Sequence, residues 1–256
     1  MLKKKPAITR NRLEKILAVA TAVLLWQLAA VLIGEEVLLV SPFKVLRRLS
    51  TLIFEAEFWG AVLFSFKRIA GGFLLALTVG TALAILSYRF RVVEVFLWPY
   101  ISIIKATPVA SFVILCLIWM SSASLPIFIA FLMAVPIIYT NMLAGFKSTS
   151  KNMLEMAEIF RFSFGKKLLY IYFPQVKSHF VSACSVSMGL SWKAGIAAEI
   201  IGIPDGSMGE MLYQAKLYLA TADLFSWTVT IILVSVLFEK AVMFAINKLF
   251  CKLEDL

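Results

Sequence analysis

Six stretches of this chain are long and apolar enough to cross a lipid bilayer, which constrains the fold more than any other feature. A helix needs about 20 mostly apolar residues to span the hydrocarbon core. There it pairs its own backbone groups where no water can. The runs cover about 16–33, 60–88, 92–120, 125–146, 178–203 and 224–247. The third is too long for one straight span and is interrupted by Pro99, Lys105 and Pro108, and the fourth contains Pro136. Composition agrees, with 61% hydrophobic and 16% charged residues against about half and a quarter in a soluble domain. The expected fold class is all-α: a polytopic membrane protein of about six transmembrane helices, in one domain over residues 1–256 with no internal repeat.

A net charge of +10 raises the question of a nucleic-acid partner, but the placement of the basic residues points to lipid instead. Lys3, Lys4, Lys5, Arg10, Arg12 and Lys15 precede the first run, and Arg89 and Arg91 separate the second from the third. Lys147, Lys151, Arg161, Lys166, Lys167 and Lys177 fill or flank the loop after the fourth, and Lys248 and Lys252 end the sixth. The opposite loops hold Lys44, Arg47, Arg48 and Lys216, so the bias is sixteen to four. Basic loops stay in the cytoplasm, which puts both termini there. The start, Met1-Leu-Lys-Lys-Lys, has the outline of a signal peptide, yet the run from Ile16 to Ile33 exceeds the usual 7–15 residues of a signal core and reads as an uncleaved span. The segment Glu35–Trp59 is amphipathic and expected along the outer membrane boundary. Cys116, Cys184 and Cys251 are too scattered for a disulfide ladder and read as small hydrophobes.

Catalytic machinery is not visible. Nothing matches a phosphate-cradling GxxxxGK[ST] loop. His179 is the sole histidine, so neither a metal site nor a Ser/His/Asp arrangement can be assembled. The chain reads as a non-enzyme, and any energy from ATP must come through a partner. The informative stretch is the loop 147–175. Asn152 with Glu155 resembles a capping-box helix start. Met153, Met156, Ala157 and Phe160 recur at helical spacing as one apolar stripe. Such a helix fits a partner's groove or rests on lipid; periodicity alone allows both.

Glu155-Met-Ala157, followed by Ile171 and Phe173-Pro174, resembles the EAA loop of binding-protein-dependent ABC importer permeases: EAA, three residues, Gly, nine residues, Ile, one residue, Leu-Pro. Glu155, Ala157, Ile171 and Pro174 match in register, while Met156 replaces Ala, Phe173 replaces Leu and Arg161 replaces Gly; Gly165 lies four residues late. Over about 40–249, Ser41-Pro42, Ser65 to Arg68, Gly72-Phe73, Pro99, Pro108, Trp192, Ala198-Glu199, Gly209 and Asp223 look like the nitrate/sulfonate/taurine-type subgroup. Lys105 stands where that subgroup usually has arginine, and a glycine expected near Met120 is missing. The resemblance implies a type I ABC importer permease bundle (MetI-like) in the bacterial cytoplasmic (inner) membrane, working as a homodimer or paired permease. It implies ABC ATPase subunits below, an extracytoplasmic solute-binding protein above, no cofactor on this chain, and Mg-ATP on the ATPase. The loop would be the ATPase-coupling element, with Asn152, Met153, Glu155, Met156, Ala157, Phe160, Arg161 and Pro174 as its working residues. The subgroup implies a small anion such as a sulfonate or nitrate, although other branches carry neutral compounds.

Polar groups within spans are costly and usually face an interior. Lys105, in the proline-broken span, reads either as an anion-attracting group on the solute path or as a lysine snorkelling to the boundary. Ser185, Trp192 and Glu199 share one face of the fifth span and would line the same path, or serve helix packing. Lys193 is poorly placed to pair with Glu199. Lys67-Arg68 and Glu239-Lys240 read as boundary or interhelical ion pairs. The rival functions are a stand-alone secondary carrier or channel, for which paired broken helices are wanting, and an ATPase-docking membrane scaffold.

Overall fold

The structure, a computed structural model, describes residues 7–254. Lys3, Lys4 and Lys5 of the basic arm lie outside the described residues, as do the side chains of Arg10 and Arg12. Every regular element described is helical: α1 (Ala7–Ile33), α2 (Pro42–Leu52), α3 (Ala56–Arg89), α4 (Arg91–Ala106), α5 (Val109–Cys116), α6 (Leu125–Lys147), α7 (Lys151–Ile159), α8 (Phe164–Lys167), α9 (Phe173–Gly202), α10 (Met208–Leu217) and α11 (Thr221–Glu254), with a π turn over Leu168–Tyr172. Two compact units result, one holding residues up to Trp59 with Met211–Thr230, the other Gly60–Glu210 with the chain from Ile231.

Four helical segments, Glu14–Ile33, Ala56–Arg89, Leu125–Lys147 and Thr221–Lys252, are long and apolar enough to cross a bilayer. The third expected span is α4 and α5, bent by 103°, and together they make a fifth if they count as one. Proline sets the bend. Pro108 disfavours helical geometry in the residue before it, and Thr107 is extended (φ −81, ψ 131). Pro99 lies inside α4. The fifth expected span falls within α9, which at 30 residues is about 45 Å long. Its serines, Lys193 and Glu199 keep it out of the apolar set, and the reason is its environment. Ala183, Cys184, Ser187, Met188, Ser191 and Trp192 are buried, so α9, like α6, packs largely against protein, whereas none of the apolar window of α1 is buried.

In the larger unit, α6 and α9 form the most extensive helix pair. Ile129 and Met133 pack with Ala194 and Ala198, and α5 adds Val113 and Cys116. Apolar side chains gain little from meeting one another in lipid, so close packing through small residues holds such helices together. Gly195 lets Ile69 of α3 approach: a Cβ there would lie 2.6 Å from Ile69 Cγ1. Gly72 of α3 presses on α6, where a Cβ would lie 2.9 Å from Ala130 Cβ and would overlap the Ile127 carbonyl.

In the smaller unit, Ser41 caps α2 by accepting the Lys44 amide N–H at 3.4 Å, and Pro42 fills the first helical turn, where its missing N–H costs nothing. Val45 and Leu52 are buried while Phe43 and Leu46 are exposed, the amphipathic split expected of this segment. The Trp26 indole N–H donates to the Val40 carbonyl at 3.0 Å, and the Ser226 hydroxyl donates to the Val45 carbonyl at 3.2 Å. Arg48 bridges Glu55 at 2.6 Å and Asp223. The hydrogen bond to Asp223 does most to raise the Arg48 pKa above its usual value.

The contact between α3 and α6 gives a sharp comparison, because a Cβ on the adjacent Gly71 meets nothing within 4 Å. Gly72→Ala is expected to destabilise the purified protein by about 1–3 kcal/mol through overpacking against backbone. Gly71→Ala should leave the melting temperature unchanged or raise it, since alanine is the better helix former. Thermal unfolding of both variants in one detergent checks this.

Candidate coupling loop and translocation residues

The loop 147–175 is built around α7. Its N-cap is Ser150, in extended geometry, two residues before the Asn152 expected from the sequence. That expectation is corrected: Asn152 is inside the first turn, and the outlying Ser150 N–H is satisfied by Gln175 Oε1 at 2.8 Å. In a capping box the side chain three residues into the helix reaches back to that N–H. Here the position is Met153, which cannot serve, so Gln175 acts from the far end of the loop. Gln175 Nε2 also donates to Met153 Sδ at 3.1 Å, tying α7 to the start of α9.

Of the four stripe residues, Ala157 is fully buried, while Met153, Met156 and Phe160 are exposed, Phe160 to 68%. Glu155 is exposed and forms no ion pair among the described residues. The helix therefore turns Ala157 inward and presents an apolar surface beside a carboxylate.

Arg161 ends α7 in the left-handed region at φ 50. Its N–H donates to the Glu158 carbonyl at 3.0 Å, and the Phe162 N–H donates to the Ala157 carbonyl at 2.8 Å. This pair of bonds is a Schellman close, which usually employs glycine at the left-handed residue. Arg161 stands where the motif has glycine and keeps the glycine conformation, at a cost of about 1–2 kcal/mol.

Downstream, the Phe173 N–H bonds to the Leu168 carbonyl, five residues back. That π turn directly precedes Pro174, which has no N–H to offer and would crowd a regular turn; Pro174 itself is exposed. Ile171 is buried, and the Phe173 ring stacks on Phe250 with centroids 4.4 Å apart. Tyr172 lies with its hydroxyl 3.4 Å from that of Tyr88, and burial pushes its pKa up to about 12.

Lys105 occupies the last turn of α4, exposed, with Nζ 3.4 Å from Thr140 Oγ1 of α6. A cation there also complements the negative end of the helix. Ser185, Trp192 and Glu199 face other helices, and none forms a hydrogen bond or ion pair with Lys105 among the described residues. The Ser185 hydroxyl donates to Glu239 Oε1 at 2.8 Å. Trp192 is 2% exposed, set between Phe66 and Phe238, with its indole N–H unpartnered among the described residues. Glu199 is wholly buried; its Oε2 accepts the Ser65 hydroxyl at 2.7 Å and the Gly209 N–H at 3.1 Å. Ser65 Oγ in turn accepts the Met208 N–H at 3.0 Å. The carboxylate thus sits at the N-terminus of α10, where backbone donors and the helix dipole favour negative charge. Glu199 Oε1 has no partner among the described residues.

Two further expectations are corrected. Arg68 is in no ion pair among the described residues; it donates to the Ala123 carbonyl at 2.6 Å and lies 3.4 Å over the Phe64 ring. Glu239 pairs with the Ser185 hydroxyl and with no cation among the described residues. Gln175 and Ser65 emerge as organising residues that helical periodicity could not single out, because each acts on a distant segment.

Removing an acceptor that holds buried donors costs about 1–3 kcal/mol. Glu199→Ala is therefore expected to lower thermal stability by that amount. Combined with Ser65→Ala, its effect should be less than the sum of the two single losses, as for members of one network. At α7, Arg161→Gly should slow amide exchange at residues 161 and 162 about fivefold, the equivalent of about 1 kcal/mol, as read by hydrogen-exchange mass spectrometry.

Comparison with known proteins bears on all these residues. The chain is 23% identical over 252 residues, 97% of its length and 91% of the relative's, to the putative aliphatic sulfonates transport permease protein SsuC of Bacillus subtilis. It is 29% identical over 196 residues, 72% of its length and 70% of the relative's, to the nitrate import permease protein NrtB of Synechocystis. Over 145 residues, 56% of its length and 52% of the relative's, it is 28% identical to the bicarbonate transport system permease protein CmpB of Synechococcus elongatus. The family model of the binding-protein-dependent transport system inner membrane component matches residues 72–252, which takes in the α7 loop, Lys105 and Glu199. The chain belongs to that family: it is a permease component of a binding-protein-dependent ABC importer.

Proposed function

We propose that this permease moves a small anion, with α7 as the helix that docks into an ABC ATPase. The observation that carries the docking reading is the exposed face of α7. Met153, Met156 and Phe160 offer apolar surface, Glu155 offers an exposed carboxylate with no ion pair among the described residues, and both helix ends are closed by specific bonds. A short helix so held is suited to a groove. The anion reading draws on relatives named for aliphatic sulfonates, nitrate and bicarbonate, and on Lys105 beside the break between α4 and α5.

In this account two permease subunits, identical or paired, surround the path. Both termini are cytoplasmic, an extracytoplasmic solute-binding protein delivers solute, and Mg-ATP is bound and hydrolysed on the ATPase alone. Closure of the ATPases moves the docked helices and shifts a two-state bundle between inward- and outward-facing forms, which requires unequal partner affinity for the two states. Ser185, Trp192 and Glu199, buried against neighbouring helices, act on the path by fixing α9 rather than by touching solute.

Purification of the tagged chain from its host in mild detergent should bring an ATPase subunit with it, and Glu155→Lys should reduce that recovery at least tenfold, on the order of the loss of one desolvated charge contact. A preparation free of ATPase, under conditions that preserve a known importer, would favour a stand-alone carrier. In vesicles reconstituted with both partners, Lys105→Ala should lower anion uptake without lowering ATPase recovery. Unchanged uptake would remove Lys105 from the path.

A further inference from the structure

A cleft of about 560 Å³ opens where α3 ends, α4 begins and α6 ends, lined by Ser87, by Arg91, Glu94, Val95 and Trp98 of α4, and by Lys147. Arg91 is the first residue of α4 and forms no ion pair or hydrogen bond among the described residues. Glu94 is engaged by Lys147 at 2.5 Å, so two cations face one carboxylate. Glu158 of the α7 loop, whose charge reaches Tyr172 next to Tyr88, is itself paired with Lys167 at 3.7 Å. The start of α4 has no side-chain cap, and a helix N-terminus favours negative charge over the arginine that stands there. Ser87 is buried and accepts the Tyr139 hydroxyl at 3.1 Å, which leaves its own O–H to donate.

The remaining wall is apolar, with Val95 and Trp98 both exposed. An inorganic anion would use only the polar end of such a cleft, whereas a small organic anion uses both, as ligands of apolar pockets with a few placed polar groups do. Position ties the cleft to Lys105. Arg91, Trp98 and Lys105 are spaced by seven, so they share one face of α4. On α6, Lys147 lies seven residues, about 10 Å, beyond Thr140, the neighbour of Lys105. We propose that the cleft is a second station on the solute path, taking a small organic oxyanion such as an alkyl sulfonate after it leaves Lys105. Arg91 and the Ser87 hydroxyl meet its charged head, and Val95 and Trp98 carry its alkyl part. The inference rests on the reading of Lys105 as a path residue and of this end of the helices as cytoplasmic.

The test labels Val95→Cys with charged thiol reagents in the purified full chain carrying Cys251→Ser, since Cys116 and Cys184 are buried. Relative to a free thiol, the anionic sulfonatoethyl methanethiosulfonate should outpace its cationic trimethylammonioethyl counterpart. Arg91→Gln should lower that preference about fivefold, the effect of one charge at a solvated site. Butanesulfonate should protect the cysteine better than nitrate, and Trp98→Ala should remove that difference while keeping the charge preference. In vesicles with both partners, Arg91→Gln should lower anion uptake and leave ATPase recovery unchanged. No charge preference in the cleft, a preference indifferent to Arg91, or protection by phosphatidylglycerol and not by butanesulfonate would overturn the proposal. Full uptake by Arg91→Gln where Lys105→Ala is impaired would overturn it too, with the path reading intact. Vesicles that take up no anion while butanesulfonate still protects the cysteine would refute the transport reading and leave the anion site standing.

Discussion

A carboxyl group buried in protein needs hydrogen-bond donors, and three helices of the larger unit meet around that of Glu199. The side chain is fully buried, and two of its donors come from segments far apart in sequence, Ser65 on α3 and the backbone of Gly209 on α10. Satisfying it demands that α9 end sharply, which it does at Ile203 in the left-handed region, and that α10 start within hydrogen-bond reach. A Cβ at position 209 would run into Glu199 itself, so glycine is required by the approach of the two backbones. One buried carboxyl group thereby links a helix end, a turn, a helix start and a glycine.

The coupling loop follows a different rule, with its ends tied and its face left open. Gln175 holds the start of α7 and the Schellman bonds hold its end, while Met153, Met156, Ile159 and Phe160 remain exposed. A helix of nine residues is too short to be stable alone in water, so these ties are what keep the surface in shape. Arg161 shows the strength of that requirement: the left-handed turn persists although the residue that adopts it cheaply has been replaced.

Much of this architecture could be read from residues alone, and what could not has a physical reason. Long apolar runs identify α1, α3, α6 and α11 because each has a window of high mean hydropathy with few charges, whether it is uncovered like α1 or more than half buried like α6. The break at Pro108 was legible because proline acts locally. α9 is harder to place, since its serines, Lys193 and Glu199 dilute the apolar signature; Ser187, Ser191 and Glu199 are buried against neighbouring helices. The start of α7 lies two residues before the Asn152 that local spacing suggests, because its N-cap Ser150 makes no side-chain cap bond and its N–H is satisfied by Gln175, outside the local window that capping rules consider. The loop motif marks Glu155, Ala157, Ile171 and Pro174, yet that Ala157 turns inward while Phe160 turns out depends on how α7 packs in the fold. Seven-residue spacing put Ser185, Trp192 and Glu199 on one face. Whether that face meets protein or open space depends on neighbours that spacing does not encode.

The central claim is that α7 is the element through which an ATPase acts on this permease. The direct measurement is site-specific cross-linking from Met156→Cys, an exposed position on that helix, in the complex isolated from membranes. The account predicts a cross-link to the ATPase subunit whose yield changes between the nucleotide-free and ATP-trapped forms. A cysteine at that position that reacts freely with water-soluble reagents in both forms, and never joins the ATPase, would contradict it.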